Sequence, residues 1–387
     1  MLLTNEKINF APEFFNDLEL TDYQINQKYQ DGELRILTEQ GRYPLQNIIQ
    51  IMETMNLNPE YQRRRVWKNE QKSRLIESFI MNIPVPPVFL YEISFSRYEV
   101  MDGLQRLSTL HDFYTGKFAL EGLEVWSELN GKKILDLPEN IKKGIDRRYI
   151  STVVILNETA KNIKEEQFLK KFVFERLNTG GTKLTPQETR NALFDGKMNQ
   201  LCIKIASENL IFKKIFDIPV DYDELQHNSL YRRMEDVELI LRFFAYRQIE
   251  NISSSTVSEI LDTYLEKANE CFDENILNNL EDLFNRTINL AYTIFESNTF
   301  KFKSRDKNKE ITNWSKPSKM IYDPIMLILS NFYQDINLQK KLIENKLIIQ
   351  ERFEKIMDTE ANEFSGRNNN KSDVLRRVNL FKEIFDL

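Results

Sequence analysis

Three short polar clusters carry the residue types in this sequence that could do chemistry. The first is Tyr61-Gln62-Arg63, and the second is Asp102-Gly103-Leu104-Gln105-Arg106. The third runs from Arg176 to Lys183 around Asn178-Thr179-Gly180-Gly181. Arginine offers a planar, permanently charged fork that matches phosphate oxygens. Paired glycines let backbone N–H groups close on an anion. Asp102 can hold a divalent cation or polarise a water, because magnesium commonly takes one or two carboxylates and completes its shell with phosphates and water. Together the clusters point to a ligand that bears phosphate. Each also fits a plainer structural part: Asp102 and Gln105 as a capping box, Arg63 to Arg65 as a solvated basic run, Gly180-Gly181 as a simple loop.

The surrounding elements must set these clusters in place. Arg97 to Met101 alternates as a half-buried strand does, and Leu104, Leu107, Leu110, His111 and Tyr114 recur at helical spacing up to a stop at Gly116. The second cluster therefore lies where a strand runs straight into a helix. A helix opening after a glycine presents free N–H groups and the positive end of its dipole, and Arg106 adds a full charge there. Upstream, Glu33 to Leu37 reads as a short strand, Pro44 to Met55 as a helix, and Asn69 to Asn82 as another. Ile83-Pro84-Val85-Pro86-Pro87 forces extended backbone before a strand at Val88 to Tyr91 that pairs with 97–101. Asn130-Gly131 signals a hairpin and Arg148 to Leu156 a strand. Asn162 to Arg176 reads as a helix with Phe168, Phe172 and Val173 inward. Thr185-Pro186-Gln187-Glu188 opens the next helix, with a capping threonine and proline at the first position.

From about residue 196 strand signals fade. Helices at 229–248, 255–270, 274–296, 318–333, 336–358 and 372–386 read as a bundle, broken by a Lys- and Asn-rich loop near 297–316. The expected architecture is α+β: an arm at 1–33, a mixed domain at 34–195 that holds the clusters, and an all-helical domain at 196–387.

Composition removes several classes of function. With 387 residues, 26 Phe and 15 Tyr, the chain can bury a substantial core. Its net charge of −6 argues against indiscriminate coating of nucleic acid. Cys202 and Cys271 are too far apart for a disulfide framework or zinc knuckle, and His111 and His227 cannot build paired-histidine zinc sites. None of the 11 glycines forms a P-loop or Rossmann fingerprint. The early polar residues do not form a signal peptide, and no apolar run approaches membrane-spanning length, so a soluble, cytoplasmic protein is expected.

Five blocks occur in an order that resembles a known family. They are Asn58-Pro59-Glu60-Tyr61-Gln62-Arg63 with Val66-Trp67, Ser73 to Ser78, Ile83 to Pro86, Asp102 to Leu107, and Phe174 to Thr182 running into Leu184 to Glu188. Over roughly 35–200 the chain is similar to the GmrS-type N-terminal domain of GmrSD modification-dependent restriction proteins. Arg233 to Val237 and the region up to Phe244 also resemble the part that follows this domain. The resemblance implies a ParB/sulfiredoxin-like fold that binds, and often hydrolyses, a nucleoside triphosphate with Mg2+. The family's Asp-Gly-Gln-Gln-Arg signature falls on residues 102–106, with Leu104 in place of the first Gln. On this resemblance Asp102, Gln105 and Arg106 are the catalytic candidates. Arg63, Gly103, Arg106, Arg176, Asn178, Thr179, Gly180 and Gly181 are the nucleotide-binding ones, and no metal ligand is fixed. It further implies a sensor of modified phage DNA, whose cutting partner, an H-N-H-type nuclease, is expected on a separate polypeptide. The alternatives are a DNA-binding ParB-like module, or a non-enzymatic scaffold in which nucleotide is only a switch.

Overall fold

The computed structural model describes residues 2–10, 21–30, 35–56, 67–159, 163–177, 185–305, 311–364 and 370–386. The chain divides into two compact units, one formed by residues 15–184 and the other by 1–14 together with 185–387. The architecture is mixed α+β, as expected.

The first unit is built on a five-stranded mixed sheet in the order β1-β5-β3-β4-β2. Its strands are β1 (Thr38–Pro44), β2 (Met55–Asn56), β3 (Val88–Ser94), β4 (Arg97–Asp102) and β5 (Tyr149–Ile155). β3 pairs parallel with β5, and β4, which enters the Asp102 turn, pairs antiparallel with β3 and parallel with β2, so it lies inside the sheet. The helices are α1 (Asp22–Gln30), α2 (Ile48–Met52), α3 (Asn69–Met81), α4 (Leu104–Tyr114), α5 (Glu139–Asp146) and α6 (Ile163–Leu177). Val88, Leu90, Val100, Ile150 and Val154 from the sheet bury against Leu75, Ile76 and Phe79 of α3 and Leu107, Leu110 and Phe113 of α4. α6 packs against β4, where Lys170 forms an ion pair with Glu99 and sets its ammonium over the Tyr91 ring.

Several local expectations need correction. Strand β1 begins at Thr38, and Pro44 closes it rather than opening a helix; the helix that follows is the short α2. Asn130-Gly131 turns a compact loop without flanking strands, in which the Leu120 N–H donates to the Lys132 carbonyl and the Gly131 N–H to the Leu120 carbonyl. The larger correction concerns α6. Phe168 and Phe172 are 53% and 40% exposed, while Leu169 and Phe174 are the buried residues. Leu169 and Phe174 take the buried side of this helix, from which Lys170 reaches Glu99, and the two phenylalanines face outward.

The second unit is helical. It contains α7 (Pro186–Leu193), α8 (Lys197–Glu208), α9 (Leu210–Ile215), α10 (Glu235–Tyr246), α11 (Val257–Cys271), α12 (Glu274–Phe295), α13 (Lys319–Leu329), α14 (Ile336–Glu344), α15 (Lys346–Thr359) and α16 (Lys371–Lys382), besides the single turns Tyr222–Leu225 and Ser229–Arg232. α7 opens with the expected box, Thr185 Oγ1 accepting from the Glu188 N–H and the Glu188 carboxylate accepting from the Thr185 N–H. The continuous helix expected at 229–248 breaks at Met234, a buried residue at φ 56°. The one expected at 336–358 breaks at Asn345. The expected loop near 297–316 contains a two-stranded ribbon, β6 (Lys303–Arg305) with β7 (Ile311–Trp314).

Residues 2–10, read from sequence as part of a peripheral arm, join this helical unit. Glu6, with 0% exposure, makes a bidentate ion pair with Arg247 at 2.6 and 2.7 Å. Gln248 brackets the segment, accepting from the Ile8 N–H and donating to the Glu6 carbonyl. In sequence the division between the two units falls after residue 184, whereas the sequence reading drew its boundary at 195. No helix among the described residues is long and apolar enough to cross a membrane.

Candidate functional site

The turn joining β4 to α4 is shaped by one glycine. Gly103 has φ +98°, a conformation that side chains with a Cβ rarely adopt, and it is the N-cap residue of α4. A Cβ there would lie 2.8 Å from Val88 Cγ2 and 2.9 Å from Arg106 Nη2. The bare backbone thus lets the Arg106 guanidinium fold back over the turn. Arg106 Nη2 donates to Asp102 Oδ2 at 2.7 Å and to the Pro87 carbonyl at 3.2 Å. Its Nε is buried with no hydrogen-bond partner. The arginine is 14% exposed and the aspartate 43%.

This geometry overturns the capping-box reading of Asp102 and Gln105. Asp102 still pairs within the sheet, opposite Phe89, so Gly103 takes the cap position and no side chain caps the helix. Asp102 instead holds Arg106. Gln105 is 8% exposed and accepts a hydrogen bond from the Trp67 N–H at 3.0 Å. It fastens Trp67, just ahead of α3. The first helical hydrogen bond of α4 runs from the Leu107 N–H to the Gly103 carbonyl, so the N–H groups of the first turn point out of the helix end.

Of the nucleotide-binding candidates, Gly103 and Arg106 meet at this turn. Arg176 is exposed at the last turn of α6, its guanidinium 4.8 Å from the centre of the Phe172 ring. Arg63, Asn178, Thr179, Gly180 and Gly181 lie outside the described residues.

Neighbouring polar groups in α3 and α4 prove to be scaffold. Ser73 Oγ accepts from the Glu121 N–H, and the buried Glu77 carboxylate accepts from the Val125 and Trp126 N–H groups at 2.9 Å each. Lys72 and Lys117 both reach Asp112, at 2.8 and 3.3 Å. Burial pushes the Asp112 carboxyl up, but the hydrogen bonds and charges of the two lysines outweigh it and hold the group below its ordinary range. His111 stands 3.6 Å from the same carboxylate. Across the sheet, burial and then the negative charge of Glu166 push the Tyr91 hydroxyl up, so it remains neutral.

Sequence reasoning did not find the Pro87 carbonyl or the Trp67 N–H as partners of the turn. The only available signal was the Pro86-Pro87 pair, which keeps the backbone extended ahead of β3. Among the described residues no group of three or more His, Cys, Asp and Glu side chains is arranged to hold a metal ion. At the turn itself, Asp102 is the side chain that could hold a magnesium ion.

Residues 45–194 match the family described as GmrSD restriction endonuclease, N-terminal domain. The matched range contains the whole Gly103 turn, β2 to β5 and α2 to α7. No curated protein matches the chain, and no solved structure matches it.

Proposed function

We propose that this chain, whose residues 45–194 match the GmrSD N-terminal domain, is a restriction-system component that binds a nucleoside triphosphate and uses it to regulate the sensing of modified phage DNA. The observation that supports the reading best is the state of Arg106. Its guanidinium is held by Asp102 and Pro87 beside the open end of α4, with Nε still lacking a partner. A buried donor left unsatisfied costs about 1–3 kcal/mol, and an anion that supplies the missing acceptor recovers that cost. The helix end contributes N–H groups and a favourable dipole to the same anion.

In this reading Arg106 grips phosphate and Asp102 keeps the guanidinium aimed. Gln105 holds Trp67, and Arg63 is proposed as a further phosphate contact. Arg176 and the stretch Asn178 to Gly181 close over the triphosphate. Mg2+ would enter with the nucleotide, Asp102 being its one protein carboxylate at the turn, and would neutralise phosphate charge. Hydrolysis is proposed at this site with Asp102, Gln105 and Arg106. Gln105 acts through position, because its amide oxygen is already committed to Trp67. The five-stranded mixed sheet and its strand–glycine–helix turn accord with a ParB/sulfiredoxin-like arrangement. An H-N-H-type nuclease is the proposed cutting partner.

A panel of nucleoside triphosphates with Mg2+, read by thermal shift, tests the reading. At least one nucleotide should raise the melting temperature of the wild-type chain, because a ligand bound only by the native state stabilises it. The shift should vanish in Arg106→Ala. No shift with any nucleotide, or an equal shift in the variant, overturns it.

A further inference from the structure

A guanidinium grips phosphate two-pronged only along an edge, where two N–H bonds point the same way. Arginine has two such edges, Nε with Nη2 and Nη1 with Nη2, so both of them use Nη2. At this turn both hydrogens of Arg106 Nη2 are taken, one by Asp102 Oδ2 at 2.7 Å and the other by the Pro87 carbonyl at 3.2 Å. Arg106 as it stands can therefore offer phosphate single N–H bonds, such as the one from its unpaired Nε, but neither edge. The two acceptors differ in how easily they let go. The Pro87 carbonyl is backbone at the entry to β3. Asp102 is a side chain, 43% exposed and four residues from its partner, and ion pairs so open to water hold weakly.

We propose that Asp102 takes the place of a phosphate oxygen on Arg106, and that its charge makes the turn select a metal-complexed triphosphate over a metal-free one. While the carboxylate sits on the guanidinium the pair is neutral, so a distant anion feels little of the Arg106 charge. A metal-free polyphosphate that displaces Asp102 strands a second negative charge beside its own. A divalent cation on the phosphates removes that penalty, because magnesium takes a carboxylate together with phosphate oxygens. Asp102 is then a specificity-determining residue whose charge, and not its hydrogen bond, carries the effect. If Asp102 did no more than aim the guanidinium, neutralising it would weaken phosphate binding with or without metal. A placeholder predicts the opposite sign when metal is absent. The inference rests on the proposed function for a triphosphate at this turn and adds which form of it is accepted.

The test is a calorimetric titration of the full chain with inorganic tripolyphosphate, once with excess Mg2+ and once in EDTA. The wild-type chain should bind with Mg2+ and about tenfold or more weakly without it, as expected when a unit charge stands uncompensated beside the phosphates. Asp102→Asn keeps an acceptor for Arg106 but no charge. It should bind the metal-free ion about tenfold more tightly than the wild type does, and gain little when Mg2+ is added. Asp102→Ser should behave in the same way, so the result does not depend on one variant's folding, which circular dichroism checks. Arg106→Ala in the Asp102→Asn background should abolish the gain. The proposal is overturned if both neutral variants bind metal-free tripolyphosphate no more tightly than the wild type, if a gain survives the loss of Arg106, or if the wild type binds equally with and without Mg2+. Each of these results, with Mg2+-tripolyphosphate still bound by the wild type, leaves phosphate at the turn and removes the placeholder alone. No binding by any form in either condition removes both.

Discussion

At the scale of single residues, the account turns on how Gly103 and Arg106 share one small volume. Any side chain at 103 meets two obstacles at once, a backbone angle unfavourable to it and the Arg106 guanidinium 2.9 Å away. Gly103→Ala should therefore destabilise the first unit by about 1–3 kcal/mol, the ordinary cost of strain at such an angle, and weaken ligand binding by pushing Arg106 aside. Denaturant unfolding checks the first expectation and nucleotide titration the second. The Asp-Gly-x-Gln-Arg pattern was legible in the sequence as chemically loaded. What each side chain does was not, because Asp102 faces Arg106 and Gln105 faces Trp67 only once the strand register is fixed. Asp112 provides a pH test. Its carboxyl is held below the usual range, so the stability it contributes is present at neutral pH. That contribution is lost as the medium is acidified through its lowered pKa. Asp112→Asn should cost about 1–3 kcal/mol at neutral pH and nothing in strong acid, as read by comparing acid unfolding of the two proteins.

At the scale of elements, the sequence showed most of what is set by local pattern. The β3–β4 hairpin, α3, α4, β5 and the capped start of α7 all follow from alternation, helical spacing or a capping box. Elements whose orientation depends on a distant partner were hidden. The spacing of Phe168 and Phe172 suggests a buried stripe, yet Leu169 and Phe174 take the buried side of α6. The amino-terminal segment hid for the same reason, since nothing local in residues 2–10 says that Glu6 will meet Arg247. Breaking this buried pair leaves one charge without its partner, so Glu6→Gln should cost the helical unit about 3–5 kcal/mol. Chemical denaturation followed by the signals of that unit checks it. A loss within about 0.5 kcal/mol would place the segment among ordinary surface changes.

At the scale of the whole molecule, the sheet unit and the helical unit each bury their own apolar cluster. The helical unit is discontinuous in sequence, drawing in residues 1–14 ahead of the sheet unit, which composition and periodicity had no means of revealing. The matched family domain, 45–194, runs past the sheet unit to include α7, so that helix travels with the domain in sequence while packing in the helical unit. The proposed function places nucleotide in the sheet unit. The most direct test is a calorimetric titration of the full chain with Mg2+ and the nucleoside triphosphate that stabilises it best, repeated on Arg106→Ala with its fold verified by circular dichroism. Saturable binding to the wild-type chain and none to a folded variant is the predicted result. Equal affinity in both, or heat-silent mixing in both, would contradict the claim that the Gly103 turn holds phosphate.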